Sequence, residues 1–387
     1  MNQQLSLARL REAREARGLS LDELASRIGT SRQLIHRYEA GRVTPRPETF
    51  VRLCAALNVT PDFFALQAPA NDVTPLFFRH FRSKATAKQL AAVRRQTIWL
   101  RDVVAAAEIS VSLPKVDIPD FEPPVDPREI TDAQIEQAAT SLRREWGFGD
   151  GVIVEVTKLV ESKGCVVVSG LVESQAIDAF SQLTRNGRPL IFINCRQVSA
   201  AHLRLDVAHE LAHLIMHKRV DPRFVDLNPD THKLIERQAF RFASAFLMPE
   251  ATFRKSVPYV SLDSLLLVKT QWQLSVAAML RRAEDLGMID AVIARNLWIN
   301  LTRRGWRQHE PLDDLITRDD PQVLKSAFVT MQRLRNGAIT ALSQKTGLPP
   351  ADFERFAGLP ENELVGGVVR DFDYFTRESI ELGQRRA

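Results

Sequence analysis

The stretch that decides the fold of the middle of this chain is residues 206–215, which read DVAHELAHLI. His209 and His213 are four positions apart, and such residues share one face of an α-helix. Two imidazoles one turn apart can bind a single zinc ion, and Glu210 can then reach a metal-bound water and act as general base. The apolar neighbours predict a helix that is buried except at the metal.

A third zinc ligand must come from elsewhere, because a catalytic zinc usually has three protein ligands and one water. One common pattern places a histidine ten positions after the first motif histidine, where this chain has Arg219. The other common solution is a glutamate on the following helix. Residues 234–249, LIERQAFRFASAFLMP, predict that helix, with Glu236 as the candidate ligand. Ala239 and Ala243 share its side and are small enough for the two helices to approach closely.

The HELAH motif, the ExxA motif at 236–239 and the FLMP motif at 246–249 closely resemble the ImmA/IrrE family of zinc metallopeptidases. The resemblance extends over roughly residues 76–310 and implies that Glu236 is the third zinc ligand. It also implies a zincin-like domain, in which a small β-sheet precedes the motif helix. A protein substrate would then lie along an edge strand and pair with its main chain.

Alternatives remain open around the motif. Phe240 stands where the family often has asparagine, so any polar role of that asparagine is absent here. His217, one turn after His213, is either an alternative ligand or a residue that packs against or orients a ligand. Asp206 either orients His209 through its far nitrogen or is an ordinary acid near a helix start. A degenerate, metal-free domain that only binds a ligand is the alternative to the catalytic interpretation.

The second strong pattern is N-terminal, where residues 19–41 read LSLDELASRIGTSRQLIHRYEAG. Ser20 is placed to cap a helix and to begin a capping box. Gly29 permits a tight turn into a second helix, which is capped by Thr30 or Ser31. Apolar residues at helical spacing in both segments predict that the two helices pack together as a helix-turn-helix.

This helix-turn-helix resembles the XRE/Cro-type repressor domain over residues 5–66, a five-helix, lambda-repressor-like bundle. The resemblance implies that the helix from about residue 31 to 40 enters the major groove of double-stranded DNA. The candidate DNA-contacting residues are Arg32, Gln33 and Arg37 for base edges, Ser20, Arg42 and Thr44 for phosphates, and Ser31 and His36 beside them. A helical protein-interaction module with the same core is the alternative.

The composition is compatible with a nucleic-acid partner but does not decide it. The 387 residues suggest two or three domains, and the chain has a net charge of +5 and a pI near 9.2. Seven basic residues and no acid lie between residues 79 and 101, forming either phosphate contacts or a solvated helix face. Three cysteines without metal-ligand spacing, the absence of an apolar run of membrane-spanning length and the lack of a secretory signal predict a cytoplasmic, nucleoid-associated protein.

The order of these patterns predicts an α+β, predominantly helical chain in five parts. They are a DNA-binding domain (1–67), a linker with a basic helical arm and a proline-rich connector (68–127), a peptidase core (128–256), a helix-turn-helix-like extension (257–310) and a C-terminal helical region of unknown role (311–387). Helices are expected over 86–110, 131–146 and 152–161, and strands over 165–168, 176–183 and 189–193. Arg281 and Arg282 in the extension belong either to a second DNA reader or to a helical wall beside the catalytic cleft.

The combined prediction is a homodimeric transcriptional regulator that binds a near-palindromic operator and carries a zinc-dependent endopeptidase. The resemblance implies that the substrate is a regulatory protein, either an XRE-type repressor or a copy of this chain, cleaved in a stress or mobile-element response. One alternative is a transcription factor whose peptidase-like domain senses a small molecule such as an acyl-CoA, and another is an antitoxin-like repressor. Tyr259, His217 and an arginine are the candidates for a second group that stabilises the oxyanion.

Overall fold

The computed structural model describes residues 6, 8–67, 77–81, 86–169, 177–184, 186–194, 199–220, 229–334 and 337–364. Over these residues the chain is predominantly helical and contains one small mixed β-sheet. The α+β class predicted from the sequence is confirmed. Among the helices in these ranges, none combines the length and the apolar character needed to cross a bilayer.

Five helices form the N-terminal bundle: α1 (Ala8–Ala16), α2 (Leu21–Arg27), α3 (Arg32–Glu39), α4 (Pro47–Leu57) and α5 (Asp62–Ala65). The capping box predicted at Ser20 is present, because Ser20 Oγ accepts from the backbone N–H of Glu23 while the Glu23 carboxylate accepts from that of Ser20. Gly29 has a φ of +65°, which a residue with a side chain rarely adopts, and so permits the turn between α2 and α3. The predicted five-helix bundle is confirmed.

Helix α6 (Ala87–Ala107) packs against this bundle along much of its length. Trp99 Nε1 donates to Glu12 Oε1 at 2.7 Å, and Gln96 Nε2 donates to the carbonyl oxygen of Ala16 at 2.6 Å. Both contacts are buried, so they fix α6 to α1 rather than merely placing it nearby. The polar linker predicted just ahead of this helix falls mostly on residues 68–76, outside the described residues.

The basic run between residues 79 and 101 overlaps most of α6, and its described side chains have different environments. Lys88 and Arg95 form ion pairs with two acids of the bundle, at 2.7 and 2.9 Å. Arg101 is buried, whereas Arg94 is exposed. Part of the positive charge of the run is therefore used to hold α6 on the bundle.

The sheet has four strands in the order β1-β3-β4-β2: β1 (Phe77–Phe81), β2 (Val166–Val168), β3 (Ile177–Leu183) and β4 (Pro189–Ile193). β3 pairs antiparallel with both β1 and β4, whereas β2 pairs parallel with β4. The three strands predicted from the sequence are present. β1 was not predicted, because its residues overlap the basic run that reads as a helical arm.

Alternate residues of the sheet point into two different apolar cores. Val167 and Ile191 face the core around α9 (Ala200–Met216), the helix that carries the HELAH motif. Val166 and Phe192 face the core that contains the bundle and α6. Successive side chains of a strand lie on opposite faces, so strands that are apolar throughout can separate two cores.

The remaining helices of the central region are α7 (Asp132–Glu145), α8 (Val156–Ser162), α10 (Pro229–Leu247), α11 (Glu250–Ser256), α12 (Leu262–Trp272), α13 (Val276–Asp285) and α14 (Ala291–Arg303). The N-cap of α7 is Thr131, as predicted. The start predicted for α8 at Val152 is wrong. The carbonyl oxygens of Ile153 and Val154 instead accept hydrogen bonds from the guanidinium of Arg204 on α9, which keeps that segment out of the helix.

The α12–α13 pair packs against α10 through α13. Arg282 is 1% exposed, and its guanidinium makes two hydrogen bonds to the Glu136 carboxylate, at 2.7 and 2.9 Å. It also donates to the carbonyl oxygen of Met248. A buried, paired arginine cannot reach a DNA phosphate, so the interpretation of Arg282 as part of a second DNA reader is wrong.

Three C-terminal helices, α15 (Val323–Arg333), α16 (Ala338–Thr346) and α17 (Pro350–Ala357), pack on the bundle, on α6 and on the sheet. Asp352 is buried and pairs with Arg17 of α1 at 2.6 Å. The carbonyl oxygen of Gly347 accepts from the backbone N–H of Thr60 at 2.9 Å. Because the bundle, α6, one sheet face and these helices share one apolar core, the N-terminal bundle is built into the rest of the protein.

The contact at Gly347 predicts a large loss of stability for Gly347→Ala. An added Cβ would lie 2.2 Å from Phe63 Cα, and the residue has a φ of +70°. Gly337→Ala is a matched control, because Gly337 has a φ of +74° but no atom within 4 Å of the added Cβ. In denaturant unfolding, the control should lose about 1–2 kcal/mol and Gly347→Ala about 2 kcal/mol more. Equal losses would contradict the close approach of α16 to the bundle.

Candidate metal centre and DNA-binding surface

The HELAH motif lies on α9, which is buried almost throughout. Ser199 caps this helix, and its Oγ accepts from the backbone N–H of His202. His209, Glu210 and His213 are fully buried. Burying polar side chains in an apolar environment is costly unless polar partners accompany them. Partners for the two histidines come from α10, which packs along α9.

Four side chains converge at this point. His209 Nε2 and His213 Nε2 lie 3.1 Å apart. Glu236 of α10 reaches both histidines, with Oε2 at 3.3 Å from His209 Nε2 and Oε1 at 3.4 Å from His213 Nε2. One ligand-type atom from each of His209, Glu210 and His213 lies within 4.8 Å of the other two. The structure thus places together the four residues that the sequence singled out.

The spacing of these donors suits a zinc ion. Zinc binds nitrogen and oxygen at about 2.0–2.2 Å in tetrahedral geometry, which places ligand atoms about 3.3 Å apart. The separations here are 3.1, 3.3 and 3.4 Å. Two imidazoles and one carboxylate are also a known donor set of catalytic zinc, with the fourth position left for water or substrate. The residues present therefore fit the metal.

The electrostatics of the site favour an ionised Glu236 and a neutral His217. Burial raises the pKa of Glu236, but hydrogen bonds to His209 and His213 and their charge outweigh it, and the pKa lies far below its ordinary value. Burial, together with the nearby His213, holds the pKa of His217 well below its ordinary value. The deprotonated carboxylate is the form in which Glu236 can bind a metal.

The position of Glu236 depends on close packing between α10 and α9. Ala239 and Ala243, on the same side of α10, are fully buried, as the sequence predicted. Phe240 packs its ring against that of His209, with centroids 4.4 Å apart and ring planes at 62°. At the position where the ImmA/IrrE family often has asparagine, this chain therefore has an aromatic side chain that packs against His209, a candidate ligand.

Two further residues near the motif differ in their positions. His217 is turned away from the ligand atoms, because its Nδ1 lies 3.0 Å from His213 Nδ1 while its Nε2 lies 3.1 Å from Gln238 Oε1. This arrangement favours an orienting role for His217 over a ligand role. Tyr259, a candidate for stabilising the oxyanion, is 83% exposed. Gln238 was not identified from the sequence, and only its position two residues after Glu236 could have drawn attention to it.

The candidate DNA-contacting residues lie on and around α3. Ser20 is half-buried, and the others are exposed: Ser31, Arg32, Gln33, His36, Arg37, Arg42 and Thr44. Ile35 and Tyr38, on the opposite face of α3, are buried in the bundle core. Ser20 and Ser31 are the N-caps of α2 and α3, so their hydroxyl groups also hold the ends of these helices. The exposed face of α3 is thus open to a DNA groove.

Comparison with known families finds a match for the N-terminal bundle and another for the region around the candidate metal centre. Residues 7–66 match the family described as a helix-turn-helix domain. Residues 160–284 match a peptidase family described as the IrrE N-terminal-like domain. No curated protein matches the chain. The chain therefore joins an N-terminal helix-turn-helix domain to an IrrE N-terminal-like, peptidase-like domain, which supports a DNA-binding regulator, and the second match contains all four residues of the candidate metal centre.

Proposed function

We propose that this DNA-binding regulator is also a zinc-dependent endopeptidase. The observation that carries the proposal is the convergence of His209, His213 and Glu236 at tetrahedral spacing, next to Glu210 and inside a domain that matches a peptidase family. Peptide hydrolysis needs an activated water and stabilisation of the charge that develops on the carbonyl oxygen. These residues supply a base and a cation site, and zinc is the cofactor that fits them.

In the proposed mechanism, zinc held by His209, His213 and Glu236 would supply Lewis-acid chemistry, which lowers the pKa of water and polarises a carbonyl group. Glu210 takes a proton from the attacking water while the water oxygen bonds to the carbonyl carbon of the scissile peptide. Glu210 then passes this proton to the amine nitrogen as the C–N bond breaks. His209, His213 and Glu236 hold the cation site in place, and the apolar packing of α9 and α10 keeps bulk water away from it.

The sheet limits how a protein substrate can bind by strand pairing. The outward edge of β3, a strand that packs on α9, is already paired with β1 of the same chain. Within the described residues, the sheet therefore ends in β1 and β2. A substrate that pairs with β3 must take the place of β1. Substrate access is then linked to the segment that follows the DNA-binding bundle.

The partners we propose follow from the two domains. Helix-turn-helix dimers bind two half-sites about one helical turn apart, and we propose a homodimer on a near-palindromic operator. The proposed protein substrate is regulatory, either an XRE-type repressor or a second copy of this chain, in a stress or mobile-element response. A regulator of this kind acts on the nucleoid in the cytoplasm.

Small-molecule sensing is the second candidate function, and one observation favours it. A pocket of about 530 Å³ lies between residues 111–117 and α15, beside Ser162. Ligand sites in proteins have roughly this size, about 300–1,000 Å³, and the walls of this pocket combine apolar side chains with hydroxyl groups. Its lining residues are separate from the metal centre, so sensing does not require the metal.

Incubating the purified chain with zinc and with candidate repressors tests the peptidase function. We expect one discrete cut in one protein, located by N-terminal sequencing of the products. Chelation should abolish the cut, and added zinc should restore it. Intact candidate proteins, together with no zinc bound to the chain, would overturn the peptidase function and favour the sensor.

A further inference from the structure

A line of buried polar contacts leads from the metal centre to a backbone turn. It begins at Gln238, which is fully buried on α10 two residues after Glu236. Gln238 Nε2 donates to the carbonyl oxygens of Pro127 and Ile130, at 2.7 and 3.1 Å. Carbonyl oxygens can only accept hydrogen bonds. These two contacts therefore identify Nε2 as the NH₂ group of the Gln238 carboxamide and Oε1 as its oxygen.

The fixed carboxamide determines where His217 carries its hydrogen. Gln238 Oε1 lies 3.1 Å from His217 Nε2, and an amide oxygen only accepts, so His217 Nε2 is the donor. A neutral imidazole has a single N–H, which makes His217 Nδ1 an acceptor. His213 Nδ1 lies 3.0 Å from that acceptor and must therefore donate to it.

A neutral His213 that donates from Nδ1 has no hydrogen on Nε2, so the lone pair of Nε2 can bind a cation. This nitrogen faces the other two candidate ligand side chains, His209 and Glu236. A neutral histidine binds a metal through the ring nitrogen that carries no hydrogen, and the hydrogen bond of the other nitrogen decides which one that is. The opposite tautomer of His213 would point an N–H at the cation site and set two lone pairs against each other at His217.

We propose that Gln238 and His217 are positioning residues that hold His213 in the tautomer and ring orientation that zinc requires. The inference rests on the zinc peptidase function proposed above. It gives a role to His217, which the mechanism does not use. It also connects the metal site to the turn at Pro127–Glu129, where the proline-rich connector ends, because the carbonyl oxygens at this turn orient Gln238.

Two substitutions of similar shape at residue 217 test this role. His217→Asn keeps an acceptor oxygen close to where the imidazole has Nδ1, whereas His217→Leu has the same branching without an acceptor. Both lose the contact with Gln238, so their difference reports the acceptor alone. Competition with a chromophoric chelator gives the zinc dissociation constant, and the unfolding temperature of the metal-free protein reports packing. We expect about 10–100-fold weaker zinc binding for His217→Leu and most of the parent affinity for His217→Asn.

Gln238→Met provides a second test, because it keeps the side-chain length but has no amide oxygen. It should weaken zinc binding in the same direction, and it serves in place of His217→Leu if that variant does not fold. Equal zinc affinities for the Asn and Leu variants would overturn the inference and leave His217 a packing residue. A parent protein without zinc affinity would overturn the peptidase function as well, whereas a zinc-binding parent with unaffected variants would overturn this inference alone.

Discussion

Glu210→Gln is expected to slow cleavage by about 10²–10⁴-fold while zinc remains bound. Glutamine has nearly the same shape as glutamate, so the buried packing of α9 is retained. Its amide cannot accept the proton of the attacking water, and the proposed mechanism loses its base. The rate at which the discrete product appears is measured together with the zinc content of the same samples.

Glu250→Gln is the matched control for this variant. Glu250 is exposed at the start of α11, and its replacement should leave the cleavage rate unchanged. Two results would contradict the role assigned to Glu210. Undiminished proteolysis would mean that another group is the base. Loss of zinc together with activity would make Glu210 a ligand, which its closeness to His209 and His213 permits.

Combining Arg32→Ala with Arg37→Ala is expected to remove most of the preference for the operator over unrelated DNA. Both side chains are exposed on α3, and the pair between Arg32 and Asp22 is solvent-exposed and weak. Each bidentate arginine–guanine contact contributes about 1–3 kcal/mol of discrimination, so the ratio of specific to non-specific affinity should fall by about 30-fold to 10⁴-fold. Fluorescence anisotropy with operator and scrambled duplexes, at one salt concentration, measures this ratio.

A charge-matched control separates base readout from general attraction to DNA. Arg254→Ala with Arg304→Ala removes the same charge from exposed positions on and after helices of the peptidase region. This control should leave the specificity ratio close to that of the parent protein. Full retention of operator preference by the α3 double variant would mean that another surface reads the operator.

The candidate metal centre could largely be predicted because its main features are local. His209 and His213 face the same way on any helix, and a shared metal is a physical reason to bury them together with Glu210 in an apolar environment. Glu236 is less local, and its choice needed the resemblance to a known family as well as the small residues that follow it. The helix-turn-helix was predictable for the same reason, because its helix caps, its turn glycine and its apolar spacing all fall within residues 19–41.

Contacts between distant parts of the chain could not be predicted in this way. Gln238 and Pro127 are 111 positions apart, and Arg17 and Asp352 are 335 apart. Helical periodicity indicates which face of a helix is buried but not what covers it. The apolar faces of α6 and of the C-terminal helices were therefore readable, whereas their packing on the DNA-binding bundle was not.

Zinc K-edge X-ray absorption on the purified protein shows directly whether His209, His213 and Glu236 bind zinc. We expect one zinc per chain, with two imidazole nitrogens and oxygen ligands at about 2.0–2.2 Å, and loss of that signal in Glu236→Ala. A protein purified with ample zinc that carries none would overturn the proposed zinc site. So would a coordination sphere that remains unchanged in Glu236→Ala.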